Sequence, residues 1–178
     1  MGDDRLRPAR RRRFVDDGAG GGLLDPVVAA SVTLLVVNDH LLKQAARGTA
    51  WGLVTGKLSD VAGMVFFPVL LVAAVELVQA WRGRFSSPSP RVAAVVAVVV
   101  AVVFSATKTI VVAGVVYAWS LAVLQWPARC AWSWFNDRPW PTLAPVAHVV
   151  DPTDVVAVVG VLFVIIQTRR RAQARVSA

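Results

Sequence analysis

The sequence predicts an all-α protein, a polytopic membrane bundle of four transmembrane helices with both termini in the cytoplasm. Of the 178 residues, 56% are hydrophobic and only 17% are charged, and the mean hydropathy is +0.59. A water-soluble domain of this size does not need so much apolar surface. The Val and Ala residues are gathered into runs, and short stretches between the runs hold nearly all the charge, which is the pattern of membrane spans and loops.

Basic residues set the predicted orientation. The formal net charge is +8, from 19 Lys and Arg against 11 Asp and Glu. Cytoplasmic loops are enriched in Lys and Arg, so the clusters predict a cytoplasmic N terminus, middle connection and C terminus, and argue against a nucleic-acid site. The predominance of Arg over Lys, with abundant Ala and Val, is typical of a GC-rich bacterial genome and favours a bacterial inner membrane. The clusters are Arg5, Arg7, Arg10, Arg11, Arg12 and Arg13; Arg82, Arg84 and Arg91; and Arg169, Arg170, Arg171 and Arg175.

Four apolar runs define the predicted spans, at about residues 23–42, 61–80, 92–112 and 152–168 of one transmembrane domain, 23–168. Residues 1–22 are predicted to be a disordered, Arg-rich cytoplasmic tail, and residues 169–178 a second basic tail. The second run suits the thickness of a bilayer core and ends at Trp81, an aromatic residue of the kind found at membrane interfaces. The twin-arginine-like string at 11–15 is followed by aspartates and no clean cleavage site, so the first helix is predicted to be retained.

The third run is longer than one span requires. It extends over 92–124, which is roughly 50 Å as a straight helix, against a bilayer core of about 30 Å. Two spans divided at Lys108 are the alternative, but a fifth crossing would place the Arg-rich termini on opposite sides. We therefore expect one span to residue 112, then a surface helix, and then a Trp-rich outer loop at 126–145 that lies on the membrane.

Charged residues of both signs fall at the predicted outer ends of all four spans. A charge in the hydrocarbon region costs at least about 2.5 to 3.5 kcal/mol, so such residues usually pair or face a wet cavity. The sequence therefore predicts a polar binding cluster at the outer mouth of the bundle. Its members are Asp39, His40, Lys43, Lys57, Asp60, Lys108, Asp151 and Asp154.

Ordinary structural roles compete with a binding role at these positions. Asp151 suits the N-cap of the fourth span, with Pro152 in the first turn and Asp154 near the positive end of the helix dipole. The opposite charges at 39 and 43, and at 57 and 60, have the spacing of neighbours on a helix surface. Lys108 interrupts a Val-rich span and requires a partner. Glu76 is expected to reach water or the inner arginines, and His148 to be interfacial.

Recognised catalytic and metal-binding motifs are absent from the sequence. Cys130 is the only cysteine and there are two histidines, so no metal site, cofactor or intrachain disulfide is predicted. If the protein is an enzyme, His40 is the candidate general base or acid, oriented by Asp39, Asp60 or Asp154. Lys57 or Lys108 would then hold an anionic group.

Three separated strings carry a resemblance to a known family. NDHLLK at 38–43, TGKLSDVAG at 55–63 and DPTD at 151–154 resemble a family of uncharacterised bacterial integral membrane proteins, over roughly residues 30–165. The resemblance implies a helical bundle and no particular reaction. A fainter similarity to VanZ-like membrane proteins comes from Glu76, Gln79, Arg84, Asp154 and Gly160, although Val158 stands where that family usually has Asn.

Three functions are compatible with these patterns. The first hypothesis is a small non-enzymatic membrane protein whose outer cluster binds a partner protein, a lipid headgroup or a small polar solute. The second is an enzyme acting on a lipid-linked or envelope substrate. The third is an ion- or proton-coupled transporter that uses Lys108 against Asp60 or Asp154. The expected partners are the lipid bilayer and either another membrane protein or further copies of this chain, but not nucleic acid.

Overall fold

The protein is helical, as the sequence predicts. The computed structural model describes residues 18–42, 45, 49 and 51–177, and every regular element in this part of the chain is a helix. Four helices are long and apolar enough to cross a membrane: Val54–Trp81, Pro90–Thr109, Val111–Phe135 and Pro152–Val176. This architecture is compatible with a multi-pass membrane protein. The tail at residues 1–17 and Lys43 lie outside the described residues.

The N-terminal half contains two helices. A 3-10 turn, Gly21–Leu24, precedes α1, Pro26–Val37, whose first turn is capped by the Asp25 carboxylate at 2.9 Å from the backbone N of Val27. A π-helical turn, Asn38–Leu42, continues α1, and α2 follows at Trp51–Trp81. The predicted second span began at residue 61, but the helix starts ten residues earlier, because the polar string at 55–60 continues it.

The C-terminal half contains three helices: α3, Pro90–Thr109; α4, Val111–Phe135; and α5, Leu162–Val176, which extends a 3-10 segment, Pro152–Val161. Ile110 alone separates α3 from α4, with an extended backbone (φ −115°, ψ 115°). The expectation of a loop from residue 126 is wrong as far as Phe135. Pro127 lies inside α4, and the helix continues through it.

Four long apolar helices are present, as the sequence predicts, and the assignment of the individual spans stays a prediction. The set includes α4, where a surface helix was expected, whereas the first apolar helix, Pro26–Leu42, is shorter than the others. Gly21 and Gly22, which precede the predicted span boundary at residue 23, are buried in the protein.

The described residues form two compact units. One contains the residues up to Ala101 and those from Val156 onward, and the other is Val102–Val155. In the first unit, small and β-branched residues fill the core, among them Val28, Val69, Ala73, Ala93 and Val164. Gly160 permits a close approach, since an added Cβ would lie 3.0 Å from the Cβ of Met64. In the second unit, Ala118, Ala122 and Cys130 are buried on α4.

Much of the helix surface is apolar and exposed. On α3, Val95, Val98 and Val102 each expose more than 60% of their area. Contiguous apolar surface of this kind is unfavourable in water, but it suits contact with lipid chains.

Candidate functional site

A buried asparagine links α1 to α2. Asn38 is fully buried, and its Nδ2 donates to the carbonyl oxygen of Thr55 and to Ser59 Oγ, at 2.5 Å in both cases. Ser59 Oγ in turn donates to Asp39 Oδ1 at 2.9 Å. The π-helical turn thus places Asn38 in the core and Asp39 beside the same serine. We call Asn38, Asp39, Thr55 and Ser59 the Asn38 network.

The network orients a carboxylate at an exposed edge. Asp39 is exposed, and a serine hydroxyl that accepts from Asn38 has its own proton available to donate to Asp39. His40 is also exposed, and no hydrogen bond joins its ring to another described residue. Lys57 and Asp60, on α2, are half-buried. The role of His40 as an acid or base oriented by an aspartate stays a prediction.

The second unit contains an ion pair shielded from solvent. Lys108 Nζ lies 2.7 Å from Asp154 Oδ2, and the two side chains expose only 13% and 11% of their area. The ammonium group also lies 5.5 Å from the centre of the Phe104 ring, in cation–π geometry. Lys108, at the end of α3, therefore has the kind of partner that its position in an apolar helix requires.

Asp151 acts as a cap. Its Oδ1 accepts from the backbone N of Thr153 at 2.9 Å and from Thr153 Oγ1 at 2.7 Å, and its backbone oxygen accepts from the N of Asp154 at 3.1 Å. These contacts start the 3-10 segment at Pro152, in agreement with the capping interpretation of this string.

His148 satisfies the backbone at the break between α3 and α4. In an uninterrupted helix the carbonyl of Thr107 would accept from the N–H of residue 111. Instead, His148 Nε2 lies 2.9 Å from that oxygen, and because a carbonyl only accepts, Nε2 carries the proton. The ring packs edge-on to Tyr117 and fits only because residue 114 is glycine, where a Cβ would lie 2.9 Å from the ring.

A buried ion pair in the first unit joins Glu76 to one of the inner arginines, which the sequence analysis had given as one of two expected contacts, but neither the choice of Arg171 nor its burial was predicted. Glu76 on α2 and Arg171 on α5 form a bidentate pair with both N–O distances at 3.0 Å, and the residues expose 3% and 9% of their area. Glu76 also accepts from the backbone N of Gly20 at 2.8 Å. Arg171 donates to the carbonyl of Gly18 at 2.9 Å.

Gln167 completes this arrangement by donating to the carbonyl of Gly22 at 2.8 Å. Two helices thus hold the glycine-rich segment before α1 through three polar side chains. The signal in the sequence was the four-residue spacing of Gln167 and Arg171, which places both on one helix face. Because Arg169 and Arg170 precede Arg171 directly, the sequence alone did not distinguish Arg171 from the rest of the basic cluster.

The described residues contain no group of three or more His, Cys, Asp or Glu side chains that could hold a metal ion. Comparisons with protein-family models, with curated proteins and with solved structures find no match to this chain. The resemblances to a family of bacterial membrane proteins and to VanZ-like proteins stay predictions.

Proposed function

We propose that this chain is a bacterial inner-membrane protein that binds a polar partner at the outer membrane face through Asp39 and its charged neighbours, without catalysing a reaction. The partner is a headgroup, a small solute or a protein segment that offers an amine or another hydrogen-bond donor. The Asn38 network is the observation that supports this proposal most directly.

The orientation follows from charge. With cytoplasmic Arg-rich termini and a cytoplasmic connection between α2 and α3, the segment after α1 and the break at Ile110 face outward. We propose that α4 lies along the outer surface, because a full crossing by α4 in addition to the other four helical segments would move the C-terminal arginines outside.

The Asn38 network favours a binding role because it connects the buried Asn38 to the exposed carboxylate of Asp39. Burying an amide costs free energy unless hydrogen bonds compensate, and Asn38 uses both of its N–H donors to link α1 to α2. The same contacts fix the direction of the Ser59 hydroxyl and so the position of the exposed Asp39 carboxylate. A fixed carboxylate at the end of an apolar helix is suited to recognise a cationic or donor group.

Asp39→Asn tests the proposal because it removes the charge and keeps the size. The full-length protein would be purified in detergent and offered phosphatidylethanolamine, or ethanolamine alone, and the bound fraction measured by native mass spectrometry. We expect Asp39→Asn to lower retention about tenfold, the loss of one charge-assisted hydrogen bond. Asp137→Asn, an exposed aspartate in the second unit, is the matched control.

A protein partner is tested in cells with a photo-crosslinking residue at Leu41, which is 63% exposed. A discrete adduct that disappears with Asp39→Asn and persists with Asp137→Asn supports binding of a protein. If neither retention nor crosslinking depends on Asp39, the proposal is wrong.

The ion pair of Lys108 and Asp154 favours one further candidate, a proton- or ion-coupled transporter. A shielded pair of opposite charges is able to exchange partners during transport. If the pair serves as the switch, we expect Lys108→Met and Asp154→Asn each to abolish the flux of protons or ions across the membrane of proteoliposomes. Flux that is absent from the wild-type protein, or unchanged in both variants, excludes this candidate.

A further inference from the structure

A cavity lies between the end of α2 and the beginning of α3, with a volume of about 680 Å³. Three arginines line it, Arg82, Arg84 and Arg91, and the remaining lining residues are polar or apolar. None of the described residues that line it is acidic. The cavity therefore carries three positive charges with no carboxylate of its own.

The N terminus of α3 adds to this positive potential. The helix has 20 residues and begins at Pro90, directly after Ser89, whose backbone oxygen accepts from the N of Ala93 at 3.1 Å. Ser89 and Pro90 both line the cavity. Pro90 has no N–H, and the N–H groups of Val92 and Ala93 already donate to Ser89, so the helix contributes mainly the partial positive charge of its N terminus, which favours anions.

The loop that forms the cavity has a fixed shape. Gly83 turns the chain with a φ of 64°, and the backbone N of Arg84 donates to the carbonyl of Gln79 at 2.7 Å, which closes the end of α2. On the other side, Arg175 of α5 lies 5.3 Å from the centre of the Phe85 ring and donates to the carbonyl of Ser86. The arginines are thus displayed on a preorganised loop, which reduces the entropy cost of binding.

The cavity lies at the depth of lipid headgroups if α2 and α3 cross the membrane. Both helices are long and apolar enough to do so, and the cavity is at the ends that they share. Trp81, at the last residue of α2, is 85% exposed, as is typical of an aromatic residue at the interface. Guanidinium groups match phosphate oxygens in bidentate geometry.

We propose that this arginine cavity binds a phosphate group, and that an anionic phospholipid supplies it. This inference does not depend on the proposed role of Asp39. Each arginine that donates directly to the phosphate group contributes about a fivefold preference, so the loss of two should lower the preference about 25-fold.

The experiment uses the full chain in nanodiscs of phosphatidylcholine with a minor fraction of phosphatidic acid. After release, native mass spectrometry measures how much phosphatidic acid stays bound. Arg84→Gln/Arg91→Gln is the test variant. Arg169→Gln/Arg170→Gln is the matched control, because it removes two exposed charges outside the cavity. Size-exclusion profiles and thermal melts establish that both variants are folded.

A loss of about 25-fold in the test variant, with at most a small change in the control, supports the site. Competition distinguishes the two sources of phosphate. Displacement of the lipid by millimolar inorganic phosphate shows that the phosphate group alone is recognised, and resistance shows that the acyl chains contribute; both are consistent with the proposal. An equal loss in the two double variants, or no loss in either, overturns it.

Discussion

The pair formed by Glu76 and Arg171 allows a quantitative test of what stabilises the first unit. Glu76→Gln keeps the side-chain size and an acceptor for the backbone N–H of Gly20, but removes the carboxylate that pairs with the buried Arg171 guanidinium. Removing one partner of a buried ion pair costs about 3 to 5 kcal/mol. For a chain of this size each kcal/mol lowers the melting temperature by about 2 to 4 °C, so we expect a fall of about 6 to 20 °C.

Arg171→Gln removes the other partner of the pair and should also destabilise the first unit. Glu76→Gln/Arg171→Gln leaves no unpaired charge and should recover more than half of the loss. Arg170→Gln, an exposed neighbour, is the control and should change stability by less than about 0.5 kcal/mol.

Thermal melts in detergent, monitored by tryptophan fluorescence, provide the assay for all four variants. The reasoning is refuted if Glu76→Gln melts within about 2 °C of the wild type, or if the double variant is no more stable than the worse single variant.

Three further predictions use the same melts. Gly160→Ala should destabilise by about 1 to 3 kcal/mol, because the new methyl group would lie 3.0 Å from a methionine Cβ. Gly63→Ala, where an added Cβ meets nothing within 4 Å, should instead stabilise by about 0.5 to 1 kcal/mol, and equal effects at the two glycines would contradict the packing argument. Asn38→Leu should lower the free energy of unfolding by at least about 1 kcal/mol, because it removes two hydrogen bonds and the leucine side chain is larger than the asparagine. An unchanged melting temperature would show that the network does not stabilise the fold. Lys108→Met should cost about 3 kcal/mol or more, and adding Asp154→Asn should recover part of it; failure of that recovery would show that the ion pair does not account for the loss.

Composition and charge predicted the helical class, because long apolar runs of Val and Ala predict membrane spans, and a span of this length satisfies its backbone hydrogen bonds as a helix. They did not predict the break at Ile110. No proline lies near it, and the Thr107 carbonyl that it releases is bound by His148, 41 residues away. That contact is tertiary, so neither local propensity nor the charge balance reveals it. The charge argument had also favoured a single span here.

Part of the candidate site could be predicted from the sequence. Lys108 in an apolar helix had to have a partner, and Asp154 was one of two aspartates proposed for it. The burial of Arg171 could not be predicted from the sequence. The positive-inside rule treats the three consecutive arginines alike, and only the packing of α5 determines which of them is buried. The two adjacent residues, Arg169 and Arg170, are exposed.

The clamp on the glycine-rich segment also has a consequence for biogenesis. Gln167 and Arg171 bind carbonyls that precede them by 145 and 153 residues, so these contacts are able to form only after α5 has been synthesised. Until then Glu76 has no counter-charge from α5, and of the three side chains that hold the segment before α1 only Glu76 is present. Synthesis of the earlier helices therefore precedes closure of the first unit, and a chain truncated before Arg171 would lack the charge that pairs with Glu76.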